Sequence, residues 1–253
     1  MNFSSQINIG ISMAKNDINL KYRRSILGPF WQSITTSIMV VCIWILFGKI
    51  FGAETSDFLP HVALGFIFWG FISGIVTDSC SSLVSSEAII KQINIPPMVF
   101  FYRVIFRNII LVLHSLVLYP ILIMILGLKI NLIFLLFLPG LLLVSLALMP
   151  VIILVAFICS RYRDFEQIVI NIMQVAFYFT PVIWMIDFIP RDFPTYLINL
   201  NLFYHFLEIL RSPLVGEMPD KLNFFVAFVE FIFASIVSVF IYKKYSRRYI
   251  FWI

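Results

Sequence analysis

The sequence predicts an all-α polytopic membrane protein, and three observations carry that prediction. Six apolar stretches lie at roughly 32–51, 61–84, 104–127, 131–158, 167–188 and 223–242. Each reaches the ~20 residues that a helix needs to cross a ~30 Å hydrocarbon core. Composition agrees: 61% of the 253 residues are hydrophobic and 12% charged, with a mean hydropathy of +1.00. Third, Lys and Arg crowd alternate connections between the stretches. Lone lipid-exposed strands are excluded, because lipid satisfies none of their backbone donors and acceptors. Six transmembrane helices are therefore expected.

The basic residues orient the bundle. Lys15, Lys21, Arg23 and Arg24 precede the first stretch; Lys91, Arg103 and Arg107 fall in the second connection. Arg161 and Arg163 lie in the fourth, and Lys243, Lys244, Arg247 and Arg248 in the tail. Only Lys49, Lys129, Arg191, Arg211 and Lys221 are left for the other side. The positive-inside rule places both termini in the cytoplasm. The formal charge of +5 then follows topology and anionic headgroups rather than a nucleic-acid partner. No secretory signal is legible, since the apolar run after Phe30 is too long and too late for one.

Taken in order, residues 1–29 form an N-terminal cytoplasmic segment. Ile7, Ile11, Ala14, Ile18 and Tyr22 recur at helical spacing with Asn8, Ser12, Lys15 and Asn19 between them, so an amphipathic helix lying in the interface is expected. Gly28-Pro29-Phe30-Trp31 marks the turn into the membrane, Pro as a helix boundary and Trp as a headgroup-level anchor. Residues 30–243 hold the transmembrane domain, and 244–253 a cytoplasmic tail. Within the domain, 85–100 is the most structured cytoplasmic connection: Glu87 and Lys91 form an i,i+4 pair, and Pro96-Pro97 stops any helix there. That piece reads equally as a short helix able to receive force from a soluble partner and as an ordinary polar loop. The outer connection 189–215 is apolar yet broken by Pro190, Pro194 and Pro213. Backbone of that kind survives at depth only when covered by protein or lining a wet cavity, so re-entrant outer gate helices are expected.

Catalytic chemistry is not legible. There is no Walker-type phosphate loop, no HExxH and no Gly-x-Ser-x-Gly elbow. His61, His114 and His205 lie far apart and read as hydrogen-bonded structural residues. Cys42, Cys80 and Cys159 share no metal-ligand spacing and read as buried thiols. No metal site and no cofactor is expected in the chain itself. Asp187, Asp192 and Glu208, the carboxylates a membrane glycan-modifying enzyme would use, are better explained by the orientation bias. Asp78 and Glu230 are the carboxylates inside expected spans, where ionisation costs at least ~2.5 kcal/mol. Aromatic blocks stand out at Phe66, Phe68, Trp69 and Phe71, and at Phe177, Tyr178, Phe179 and Trp184. Stiff rings suit sliding contact with the apolar faces of sugars, and equally suit plain packing.

Several segments resemble, in order, the ABC-2 type permeases that export bacterial surface polysaccharides. Leu20-Lys-Tyr-Arg-Arg-Ser-Ile-Leu-Gly-Pro-Phe-Trp31 is similar to that family's lead into its first span. Ile90-Lys-Gln-Ile-Asn-Ile-Pro-Pro97 is similar to its cytoplasmic segment, and Arg161-Tyr-Arg-Asp164 and Thr180-Pro-Val-Ile-Trp184 flank its fifth span. Asn199-Leu-Asn-Leu-Phe-Tyr-His-Phe-Leu-Glu-Ile-Leu-Arg211 resembles its segment before the last span, with Leu200 or Leu202 where Pro is common. O-antigen permeases look most alike; capsule and teichoic acid permeases are cousins, and drug or lipid permeases more distant ones.

The resemblance implies a homodimer in the bacterial inner membrane, bound to two copies of a separate ATPase that holds ATP and Mg. The substrate it implies is an undecaprenyl-diphosphate-linked polysaccharide. Glu87, Ile90, Lys91 and Asn94 would couple to the ATPase, and Lys21, Arg23 and Arg24 would meet the diphosphate by charge and hydrogen bonding, although each also serves as a positive-inside anchor. Phe30, Trp31, Phe177, Tyr178 and Trp184 would line the glycan path, and Phe203, Tyr204, Glu208 and Arg211 the outer gate.

Overall fold

The computed structural model describes residues 2–51, 55–93, 95–127, 131–188, 190, 194 and 196–253. Among them every regular element is helical: α1 (Phe3–Tyr22), α2 (Phe30–Phe51), α3 (Thr55–Ser81), α4 (Glu87–Gln92), α5 (Met98–Ser115), α6 (Leu118–Leu126), α7 (Phe137–Arg161), α8 (Phe165–Phe179), α9 (Tyr196–Asn199), α10 (Leu202–Val215) and α11 (Lys221–Tyr245). Short 3-10 turns at Leu132–Leu136 and Tyr249–Phe251 lead into α7 and follow α11.

Among the described residues, five stretches are long and apolar enough to cross a membrane: Phe30–Phe47, Asp57–Ser81, Met98–Leu126, Leu132–Arg161 and Lys221–Tyr245. The expected span at 167–188 is the exception. Its helix, α8, has 15 residues, about 22 Å of rise, and falls short of a ~30 Å core. Pro181 ends it: the helical region is disfavoured for the residue before a proline, and Thr180 sits at φ −92°, ψ 136°. Of the six expected spans, five are thus matched by helices of full length and the fifth in order by one shorter apolar helix.

The core is built around α3, which is apolar along most of its circumference, as a central helix is. It packs against α2, α5, α7, α8 and α10, and 67% of its apolar stretch is buried against 11% for α2. Leu64, Phe68, Ile72 and Ile75 of α3 meet Phe100 and Val104 of α5, Leu148 and Ile152 of α7, and Phe206 and Leu210 of α10. Cys80 and Cys159 are buried and free, while Cys42 lies on the exposed face of α2, unlike the buried thiol expected there.

Close helix approach rests on glycine, as it does where lipid supplies no hydrophobic drive between helices. A Cβ on Gly140 of α7 would come within 3.0 Å of the Ile209 carbonyl of α10. The amphipathic period of α1 is present, and its buried centre is Gly10, Ala14 and Ile18, docked on α5. A Cβ on Gly10 would lie 2.6 Å from Tyr102 Cβ and 3.2 Å from the Val99 carbonyl. Gly10→Val is therefore expected to lift α1 from α5 at a cost of about 1–3 kcal/mol. Hydrogen exchange checks this: amides of 3–22 should exchange faster while α3 and α7 keep their protection.

Candidate functional site

A groove of about 700 Å³ runs between α2, α3 and α8. Its floor is a helical stripe of α3, Phe66, Trp69, Gly70, Ser73 and Thr77, where small and hydroxylated residues leave space that larger ones would fill. Thr35 and Thr36 of α2 form one wall; Gln174, Phe177 and Tyr178 of α8 form the other. Gln167, Asn171, Gln174 and Tyr178 continue along one exposed face of α8, and Gln167 donates to Asn171 at 3.1 Å. Ser73 and Thr77 donate to carbonyls one turn back in their own helix, at 2.7 and 2.8 Å. Their donors are thus spent, and what faces the groove is weakly polar. The rings form a chain: Phe66 and Trp69 lie 5.6 and 5.8 Å from Phe177, Tyr178 lies 5.4 Å from Phe177, and Phe203 lies 5.7 Å from Trp69. Such contacts hold rings in fixed orientation without a tight pocket for any one of them.

Not all the expected path aromatics come here. Phe177 and Tyr178 do. Phe30 turns its ring edge to His114 of α5, 5.2 Å away, and Trp31 is exposed on α2; neither lines the groove. Trp184 closes the turn after α8, its indole N–H donating to the Tyr178 carbonyl at 3.1 Å. Trp69 links the aromatics of α8 and α10 and was legible only as one member of a block.

At the end of the bundle where α1 packs, Gly70 also lines a second cavity of about 510 Å³, which holds a cluster of charges. Arg103 forks onto Asp17 of α1, with both bonds at 2.6 Å, and donates to Ser86 at 2.9 Å. Arg107 pairs with Asp78 at 2.7 Å and approaches Asp17 at 3.5 Å, and Asn108 donates to Asp78 at 2.8 Å. Two-point Arg–carboxylate pairing is strong and geometrically selective, so α1, α3 and α5 are locked together here. A Cβ on Gly74 would lie 2.5 Å from Asn108 Oδ1, so the network also needs that glycine. Lys21 lines the cavity and, among the described residues, stands in no ion pair. Arg23 and Arg24 are exposed on the turn outside it.

Beside this end, α4 carries the Glu87–Lys91 pair at 2.6 Å. The hydrogen bond and charge of Lys91 hold the Glu87 carboxyl below its usual range. Ile90 is buried beneath them, and Asn94 lies outside the described residues.

At the opposite end, Arg211 of α10 is buried. It lies 2.9 Å from His61 Nε2 of α3, donates to the Pro181 carbonyl at 2.8 Å, and pairs with Glu208. Ser212 donates to the same carboxylate at 2.7 Å. His61 Nε2 also lies 3.0 Å from the Trp184 carbonyl, so its tautomer decides which of the two it bonds. Tyr204, Glu208 and Arg211 line a cavity of about 580 Å³ with His61, Asp57 and Glu217, while Phe203 faces Trp69 instead. Asn201, missed in the sequence, caps α10 by accepting from the Phe203 amide at 3.0 Å and donates to Thr180 at 2.9 Å. An Asn directly before an apolar helical run is the signal that marks such a cap. Glu230 of α11 keeps one carboxylate oxygen buried with no partner among the described residues, apart from all three cavities.

A family model described as ABC-2 type transporter matches residues 11–215. The O-antigen export system permease protein RfbA of Klebsiella pneumoniae is 20% identical over 247 residues, covering 94% of this chain and 92% of that protein. A second protein of that name from Klebsiella pneumoniae is 21% identical over 244 residues, with the same coverage of both chains. The matched region runs through the groove and both charged ends, and the chain belongs to the ABC-2 type transporter family.

Proposed function

We propose that this permease exports an undecaprenyl-diphosphate-linked polysaccharide of the O-antigen kind across the bacterial inner membrane, driven by a separate ATPase. The observation that carries the reading is the groove: weakly polar and ringed, open along one side, and bordered at Gly70 by a charged cavity. A sugar chain sliding along it meets aromatic faces and spent hydroxyls, and binds weakly at many points. Its diphosphate meets Lys21 in the cavity, with Arg23 and Arg24 on the adjoining turn. The basic bias puts both termini and the α1 end in the cytoplasm. A second copy of the chain closes the open side, and two ATPase copies bind beneath, each supplying ATP and Mg.

Force enters through α4. ATP binding favours one of two arrangements of the permease, and coupling requires that the ATPase bind those arrangements with different affinity. The Glu87–Lys91 pair stiffens the exposed face of α4, and buried Ile90 anchors it to the bundle. Glu87→Ala with Lys91→Ala is expected to reduce ATPase co-purification and export while the permease inserts and melts normally. Normal complex yield and export would sink that role for α4.

Deleting the gene while assaying surface glycan and intracellular lipid-linked glycan together tests the whole reading. Loss of surface polymer with finished polymer accumulating inside is the expected result. Unchanged surface glycan would redirect the groove to another amphiphile, such as a drug or lipid. Loss without accumulation would indicate synthesis instead.

A further inference from the structure

A pocket outside the groove and both end networks is formed where α7 and α11 end side by side. It encloses about 410 Å³ and carries three cations, Arg161, Lys244 and Arg248, with no carboxylate in its lining. Among the described residues none of the three stands in an ion pair. The arrangement is built rather than frayed. After α11 the chain folds back, and buried Tyr249 sets its ring against Phe157 of α7 at 6.0 Å. That anchor brings Trp252 against Tyr245, 5.1 Å between ring centres. Arg161 is then held at two aromatic faces, 5.4 Å from the Tyr162 ring and 5.1 Å from Trp252. Its Nε donates to the Tyr162 hydroxyl at 3.1 Å, while neither terminal nitrogen has a partner among the described residues. A positioned guanidinium with a free two-pronged edge is suited to a phosphate.

The walls favour one source of phosphate. Below the cations the lining is hydrocarbon: Phe157, Ile158 and Ile241. Lys244 sits over Phe240 at 5.9 Å, and Phe240, Ile236 and Phe233 continue down α11 as exposed apolar side chains. A ligand seated here meets charge at one end and about two turns of apolar helix at the other. We propose that this pocket binds an anionic glycerophospholipid of the cytoplasmic leaflet, phosphate on Arg161, Lys244 and Arg248 and an acyl chain along α11. The leaflet rests on the orientation proposed above; the pocket does not depend on what the transporter exports. Since α4 packs against the turn Tyr249–Phe251, the lipid steadies the same end of the bundle that receives force.

The test is native mass spectrometry of the full chain released from nanodiscs of phosphatidylcholine mixed with phosphatidylglycerol. Phosphatidylglycerol should stay bound in preference to phosphatidylcholine. Each of Arg161→Gln, Lys244→Gln and Arg248→Gln should weaken its retention about fivefold, and the three together about 100-fold. Lys15→Gln, a basic side chain elsewhere at this end, should leave it unchanged. If the triple variant is not recovered folded, Lys244→Glu on an exposed position gives the same reading: lost retention supports the site, unchanged retention overturns it. Equal retention of both lipids would overturn the proposal, as would inorganic phosphate alone displacing the lipid and filling the pocket. Loss of ATPase co-purification with lipid retention unchanged would make the surface a protein contact and overturn it as well.

Discussion

Arg211→Met is expected to cost about 3–5 kcal/mol, a large fraction of a typical folding free energy of 5–15 kcal/mol, and most of the chain should fail to accumulate folded. Arg211 is 3% exposed, and its guanidinium ties α10 to α3 through His61 and to the turn after α8 through the Pro181 carbonyl. Removing it leaves the Glu208 carboxylate in a poorly solvated site with Ser212 as its remaining donor. Glu208→Gln alone should cost less, because the amide oxygen still accepts from Arg211. The telling variant is the double one. Glu208→Gln with Arg211→Met removes the stranded charge and should be more stable than Arg211→Met alone, by about 1–2 kcal/mol, as neighbours in one network couple non-additively. Thermal unfolding followed by size-exclusion chromatography reads all three. Additive losses, or an Arg211→Met protein that melts like the parent, would show that the pair contributes nothing to the fold.

Hydropathy located four spans within a few residues because their boundaries are set by hydrocarbon and caps, both local. It overran the end of the fifth, where apolar residues run on past Thr180 while Pro181 ends the helix: counting side chains does not count backbone donors. It also began the third stretch at 104, treating Arg103 and Arg107 as connection. Both lie inside α5, because Asp17 and Asp78 neutralise them. Those pairs join residues 86 and 29 positions apart, and no spacing rule reaches that far. For the same reason Asp78 read as an isolated intramembrane carboxylate. Gly10, the point of closest approach of α1, was invisible in a pattern built from apolar side chains. Tyr204, Glu208 and Arg211 were legible only through the resemblance of the segment Asn199–Arg211 to the permease family. Phe30 and Trp31 share a composition with the groove aromatics, but the α2 register points one at His114 and leaves the other outside. Residue type gave candidates; which side of a helix they occupy came only from packing.

Ser73→Trp is expected to abolish export while leaving the bundle assembled. Ser73 stands mid-floor between Gly70 and Thr77, and its side chain faces the groove rather than the core. An indole there extends into open space instead of displacing Ile72 or Ile75, so overpacking does not arise. It does occupy the width between Thr35 and Gln174 through which the proposed substrate's sugar rings pass. Surface polymer should fall at least about tenfold, since ~1.4 kcal/mol added to the slowest step suffices for that. Ser73→Ala is the paired control. The hydroxyl donates to Trp69 within its own helix and offers the groove no donor, so alanine should export normally. A tryptophan at Val239, exposed on α11 and away from the groove, should also be neutral. If Ser73→Trp inserts, melts normally and exports at the parental rate, the groove is not the path. If Ser73→Ala fails as badly as Ser73→Trp, the site acts through the hydroxyl, and space is not what the substrate requires of it.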